Sequence, residues 1–230
     1  MANAENHLIE RLPRKDRLRL LALCEPCGLV SGAVLCEPGL PVRHVYFPVD
    51  GFISLVAPID GKPALEVGMV GREGMLGAHM VLGVATVPLH AVVQGTGSAR
   101  RIGATAFRRE LDGSVALQRM LKRYLYIVMS QLTGSAACLR FHAIAPRLAR
   151  WLLMSQDRAH AGHFHVTHEF LAYMLGVRRV GITGAASVLQ RDGLIEYHRG
   201  EVKVLDRSRL EAAACACYAE DQRAYAAVLA

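Results

Sequence analysis

Six cysteines are spread along the 230 residues, at Cys24, Cys27, Cys36, Cys138, Cys215 and Cys217. Thiolates are soft ligands, and Cys24-Glu-Pro-Cys27 with Cys36 and the distant Cys138 supplies four, the number and type that hold a [4Fe-4S] centre or a structural zinc. The spacing works against convergence, since Cys36 falls in what reads as a strand, Val34 to Glu37, and Cys138 near the end of a long helix. Buried thiols are the alternative, and neither metal nor cofactor is expected. Cys215 and Cys217 read as tail residues packing on the C-terminal domain. His160, His163, His165 and His168 crowd a loop entering a helix, where metal binding needs three ligands to converge and protonation would simply add charge. No Gly-x-Ser-x-Gly, Walker loop or His-Glu-x-x-His occurs, so no enzymatic chemistry is expected.

A second kind of chemistry, guanidinium against nucleic acid, is suggested by Arg178-Arg179. Thr167 is a good helix cap with Glu169 in the first turn, and a short helix should run from His168 to Leu175. Gly176 supplies a turn residue and Val177 points back to the core. A second helix, about Arg178 to Arg191, buries Ile182, Ala185, Val188 and Leu189 at helical spacing. Its outward residues, Arg178, Arg179, Val180, Thr183, Gly184 and Ser187, would face a major groove. Asp192-Gly193 and Arg199-Gly200 bracket two strands, Leu194 to His198 and Glu201 to Leu205, which completes a winged helix-turn-helix.

The elements ahead of it must position this unit. About Cys27 to Gly103, short Val- and Ile-rich segments (Val42 to Val49, Phe52 to Pro58, Leu65 to Val70, Leu89 to Gln94, Ser98 to Ile102) alternate with Gly, Pro and Asp, the pattern of a small antiparallel sandwich or roll. A long helix follows, about Gly113 to Arg140. Leu121, Leu125, Val128, Leu132, Ser135 and Leu139 alternate spacings of four and three, as in a coiled-coil seam, and are the expected dimer interface. A second stripe, Leu117, Met120, Tyr124, Ile127, Gln131, Gly134 and Cys138, lies on the adjacent face and suits packing on the helix's own β-domain. Pro146 breaks the pattern, a helix of about Arg147 to Arg158 follows, and Arg207 to Leu229 reads as a terminal helix. The expected fold class is α+β, divided into an N-terminal antiparallel β-roll with flanking helices over 1–112, a dimerisation helix over 113–141 and the winged domain over 142–230.

The formal charge of +7 suits a polyanionic partner. From His142 onward, however, 11 Lys and Arg face 9 Asp and Glu, so the excess is not concentrated in the winged domain. No 18-residue apolar run and no signal-peptide core is present, so a cytoplasmic chain with no membrane partner is expected.

Arg43-His-Val-Tyr-Phe-Pro48 with Gly51, Arg150-Trp-Leu-Leu153, and Leu175-Gly-Val-Arg-Arg179 with Leu194-Ile195, in this order, resemble the Crp/Fnr family of bacterial transcription regulators. The resemblance covers nearly the whole chain. It implies a homodimer whose two recognition helices enter successive major grooves of a near-palindromic double-stranded site, a signal received in the roll, and RNA polymerase as a further partner. Two departures stand out. The region that holds cyclic AMP in some members runs here as Gly71-Arg-Glu-Gly-Met-Leu-Gly-Ala-His79 and then Val87-Pro-Leu-His-Ala-Val-Val-Gln94, without the arginine that pairs the phosphate, so the effector is another molecule or none. Arg72, Glu73, Gly77 and His90 are candidates for a different ligand. In the recognition helix, Val180 and Gly184 stand where family members often carry Glu and Arg. The cysteine quartet also resembles the oxygen-sensing branch of that family, which leaves a redox sensor, or a ligand-binding signalling module without DNA activity, as alternatives.

Overall fold

A computed structural model describes residues 5–59, 62–159 and 163–229, with side chains described outside 62–64. Asn6 opens the chain as a cap, its side chain accepting from the backbone of Leu8 and Ile9 and donating to the carbonyls of Pro48 and Gly74. Helices α1 (His7–Glu10) and α2 (Arg14–Leu23) therefore sit against the roll.

The roll is one antiparallel sheet of β1 (Glu25–Leu29), β2 (Val34–Cys36), β3 (His44–Ile59), β4 (Lys62–Val70) and β5 (His90–Gly103). Its order is β1-β5-β3-β4, with β2 also pairing β5. Four of the five expected segments fuse in pairs into β3 and β5. Bulges around Asp50 and Phe52 let each strand run through the Gly/Pro punctuation that reads as a loop in the sequence. Leu29, Val42, Tyr46, Ile53, Val70, Leu76 and Val93 fill the roll interior.

Helix α3 (Ala104–Gly113) leads, through the Ser114 cap, into α4 (Val115–Phe141). The break after α4 falls at His142 and Ala143. Pro146 lies in the first turn of α5 (Ile144–Ala159), where its missing N–H costs nothing. The winged unit follows as β6 (His163–His165), α6 (His168–Leu175), α7 (Arg179–Arg191), β7 (Ile195–His198) and β8 (Glu201–Val204), with sheet order β6-β8-β7.

The expected terminal helix is two helices, α8 (Arg207–Ala213) and α9 (Cys217–Leu229), and the break between them carries Cys215. Helix α9 leaves the winged domain: Tyr225, Val228 and Leu229 join the core shared by α1–α4, and Tyr225 Oη donates to the Glu73 carbonyl at 2.7 Å. Among the described residues no helix is long and apolar enough to cross a membrane.

Candidate nucleic-acid interface

The local sequence explains each part of the α6–α7 unit. Thr167 Oγ1 accepts from the Phe170 N–H at 3.1 Å, starting α6. Gly176 ends it at φ +63°, the left-handed conformation that favours glycine, and the Val177 N–H then reaches back to the Ala172 carbonyl. Helix α7 buries Ile182, Ala185, Ala186 and Leu189. Its opposite face exposes all six predicted contacts: Arg178 (the cap), Arg179, Val180, Thr183, Gly184 and Ser187. Both arginines thus stand at the positive end of the helix, where unpaired N–H groups also favour an anion.

The two unusual glycines of α7 separate into different roles. A side chain at Gly181 would put its first carbon 2.6 Å from Ile144 Cδ1, so this glycine lets α5 and α7 approach. A side chain at Gly184 meets nothing within 4 Å, so its bareness serves the outer surface.

His168, in sequence one of several crowded histidines, has a specific place in the unit. Its ring stacks on Tyr197 of the wing at 4.5 Å between centroids, and Nδ1 lies 3.1 Å from Thr183 Oγ1. Thr183 donates its only proton to the Arg179 carbonyl, so His168 must be the donor in that pair. Burial, with the Arg179 charge adding, lowers the His168 pKa and favours the neutral ring. His168 therefore ties α6, α7 and the wing together. Ser187 likewise donates to the Thr183 carbonyl, which leaves both hydroxyls as acceptors towards any partner. Arg199, whose Arg-Gly dipeptide reads from sequence as a turn alone, places an exposed cation at the wing tip with φ +50°.

The winged domain is packed onto the roll. Phe52 and Met69 of the roll share a core with Trp151, Leu171 and Ile182, and Met174 of α6 meets Val56. Trp151 Nε1 donates to Glu66 at 2.8 Å, Ser54 donates to the same carboxylate, and Arg158 pairs with Glu73 at 2.8 Å. Burial pushes the Glu66 carboxyl up to about 7, against the opposing effect of the Ser54 and Trp151 donors and of Arg158 and Arg150. A carboxyl whose folded pKa is raised stabilises the docked arrangement fully below the ordinary value of 4.5, and that contribution is lost as pH rises through about 7. Trp151 is the only tryptophan. Its emission is expected to titrate with a midpoint near 7, and the Glu66→Gln chain should lose that transition; a wild-type signal flat from about pH 5 to 9 would show that Glu66 does not titrate there.

The expected dimer seam needs correction. Leu121 is fully buried in the chain's own core, and Leu125 and Val128 are partly buried against it, because the roll and α9 cover that side of α4. Leu132 and Leu139 are exposed, and they join Tyr126 (60% exposed) and Met129 (65%) on the outward face. Tyr126 and Met129 belong to neither sequence stripe. Leu117, Met120, Tyr124, Ile127 and Cys138 of the second stripe are buried, as expected for an inward face.

Of the candidate ligand residues, Arg72 and Glu73 line a cavity of about 290 Å³ between the roll, α4, α5 and α9, with Asp157, Arg158 and Tyr225. Both charges are engaged internally: Arg72 pairs with Glu10 and donates to the Glu5 carbonyl, and Glu73 holds Arg158. Gly77 and His90 lie elsewhere; Gly77 packs on Val45, and His90 opens β5 opposite Val56.

The cysteine quartet is dispersed: Cys36 lies in the roll core, with Cys27 packed against it, and Cys24 abuts the α1–α4 core. Cys138 instead meets Cys215 and Cys217, which pack on α4 and not on the winged domain alone. The Cys138 thiol lies well below its ordinary value, chiefly because Cys215 donates to it, with His142 and Arg150 adding. His160 lies outside the described residues. His163, His165 and His168 do not converge; His165 pairs with Glu201 across the wing and His168 faces Thr183.

Residues 146–213 match the Crp-like helix-turn-helix domain family. No match was found among curated proteins. The c-di-GMP responsive global regulator CLP of Xanthomonas campestris is similar over 84% of this chain and 100% of its own, at 18% identity and TM-score 0.67. FixK2 of Bradyrhizobium japonicum is similar over 84% and 98%, at 16% identity and TM-score 0.70. A putative crp/fnr-family regulator of Eubacterium rectale is similar over 91% and 99%, at 16% identity and TM-score 0.70. This chain therefore carries a Crp-like helix-turn-helix domain on the fold of the Crp/Fnr transcription regulators.

Proposed function

We propose that this chain is a homodimeric, sequence-specific DNA-binding transcription regulator of the Crp/Fnr type, with α7 of each protomer in a major groove of a near-palindromic site. The observation that carries the reading is the α7 face: six exposed positions, headed by two arginines at the helix N-terminus, flanked by a wing with a cation at its tip. Two such helices related by a two-fold axis read half-sites about 34 Å apart. The exposed apolar face of α4 supports the pairing. The shared core between roll and winged domain supports a signal path in which the roll alters how the DNA-binding unit is held, and RNA polymerase is the partner through which such a regulator acts.

The roles of individual residues follow from their chemistry. Arg179 suits guanine O6 and N7, Arg178 and Arg199 suit phosphates, and Val180, 75% exposed, suits a thymine methyl. Thr183 and Ser187, with their protons committed to the helix, are left to accept from cytosine N4 or adenine N6.

Selection of bound fragments from random DNA is expected to enrich an inverted repeat; absence of any repeat, with or without cell extract, sinks the reading. The Arg179→Ala chain should then lose discrimination at one base position per half-site by about 1 to 3 kcal/mol. A loss spread uniformly over all sequences would make Arg179 a phosphate contact instead.

A further inference from the structure

Cys138, His142, Cys215 and Cys217 come from two places that the sequence keeps far apart. Cys138 and His142 stand one turn apart at the end of α4, so both side chains leave the same face. Cys215 lies in the break between α8 and α9, and Cys217 opens α9. The break is what brings the two thiols to α4; a continuous terminal helix would carry them past it.

The four ligand atoms all lie within 4.8 Å of one another. Cys138 Sγ and Cys215 Sγ are 3.6 Å apart, and Cys217 Sγ and His142 Nδ1 are 3.6 Å apart. A tetrahedral ion with Zn–S near 2.3 Å and Zn–N near 2.0–2.1 Å sets its ligand atoms roughly 3.5–3.8 Å from one another. Both of these separations match that shell, and none of the other four exceeds 4.8 Å. A polynuclear iron–sulfur cluster inserts metal–metal distances between its thiolates and needs a wider ring. A disulfide needs the sulfurs at about 2.05 Å, well inside the present separation.

Charge and burial agree with this. All three cysteines are buried, at 3–7% exposure, in a cluster of their own rather than dispersed through an apolar core. Three thiolates around a divalent ion leave one net negative charge. Arg147 and Arg150 are buried beside them, and the charges of both act on Cys138 and Cys215. Arg150 also holds Asp221 of α9 at 2.6 Å, which ties the same elements from the outside.

We propose that Cys138, His142, Cys215 and Cys217 bind one divalent metal ion of the zinc class in a closed tetrahedral Cys3His site. Because all four positions are taken by protein, the ion has no open site for substrate, and its role is to join elements. It fastens the α8–α9 connection to the end of α4 at His142, the residue where the chain turns into α5. Loading requires all three sulfurs as thiolates, so it releases the protons they still carry and couples metal affinity to folding of this junction.

The test uses the full chain, purified under reducing conditions, with metal content measured by mass spectrometry. One zinc-class ion per chain is expected. After chelation, added Co2+ should give the intense visible bands of a tetrahedral site with thiolate charge transfer, displaced by Zn2+. Cys215→Ser and Cys217→Ser should each weaken binding by at least roughly 100-fold, more than loss of an outer-shell partner costs, while Cys36→Ser in the roll leaves it unchanged. Wild-type protein with neither bound metal nor a tetrahedral Co2+ spectrum overturns the proposal, whether or not the serine variants fold. An intact mass lighter by two hydrogens in metal-free reduced-purified protein overturns it in favour of a disulfide, and a Co2+ spectrum that survives every ligand variant overturns the assignment of residues.

Discussion

The Met129→Arg chain is expected to be a folded monomer that binds its DNA site roughly 100- to 10,000-fold more weakly than the parent, the avidity that joining two binding modules supplies. Met129 is 65% exposed at the centre of the outward face of α4, between Tyr126 and Leu132, and touches none of the chain's own core clusters. An arginine at this exposed position should change the stability of the single chain by no more than about 0.5 kcal/mol, yet a symmetric helix pair would bring two like charges together near the axis and desolvate them. Sedimentation of wild type and variant at the same micromolar concentration reads the first half of the expectation, and binding to an inverted repeat against a single half-site reads the second. The Leu121→Ala chain is the contrast. Leu121 is fully buried within the chain, so its truncation should cost about 2–5 kcal/mol of stability in urea and leave the folded fraction dimeric. A dimeric Met129→Arg protein, or a monomeric wild type, would rule out this face as the seam.

The second large effect concerns Trp151. It is 7% exposed, sits edge-on to both Phe164 and Phe170, and donates to Glu66 of the roll. Trp151→Ala is expected to destabilise the chain by about 3–5 kcal/mol, the range for deleting a large buried aromatic, read from the urea midpoint. Trp151→Phe separates packing from the polar link. It keeps most of the aromatic contact and should cost about 1–3 kcal/mol for the lost donor to a buried acceptor. Adding Glu66→Ala, which removes the acceptor altogether, to each variant completes a cycle. Coupling between position 66 and Trp151→Phe near zero would show that the indole N–H does not hold the winged domain to the roll.

The winged unit was the most legible part of the sequence, because its signals are local. Thr167, Gly176 and the Arg178-Arg179 pair each act within a few residues, and α6 runs from His168 to Leu175 as the cap and glycine require. The outward face of α7 followed from its buried positions by helical geometry alone. What the sequence could not show depends on neighbours that are remote in the chain. Heptad spacing in α4 describes two stripes equally well, and the roll and α9 bury the first half of both, Leu121 along with Leu117, Met120, Tyr124 and Ile127. The outward face is therefore left to Tyr126 and Met129, which belong to neither stripe. His168 reads as one of several loop histidines until the wing brings Tyr197 onto its ring. The cysteines are the sharpest case. Cys24 and Cys27 are neighbours in sequence and share no site, whereas Cys138 and Cys215, 77 residues apart, are in contact. In β3 and β5, glycines and prolines that signal turns turned out to sit at bulges inside continuous strands.

The turn glycine of the helix-turn-helix answers to two constraints at once. Gly176 needs its φ of +63°, and a first side-chain carbon there would come within 2.8 Å of Leu65 Cδ1 on the roll. Genetic variation at this contact is therefore one-sided. Any replacement of Gly176 strains the helix-turn-helix along with the contact, so substitutions that alter only the contact should be absent from that codon. Leu65, a half-buried side chain on β4, can be shortened without altering the backbone of the turn. It is the codon through which selection can retune how firmly the roll holds the helix-turn-helix while leaving the outward face of α7 unchanged.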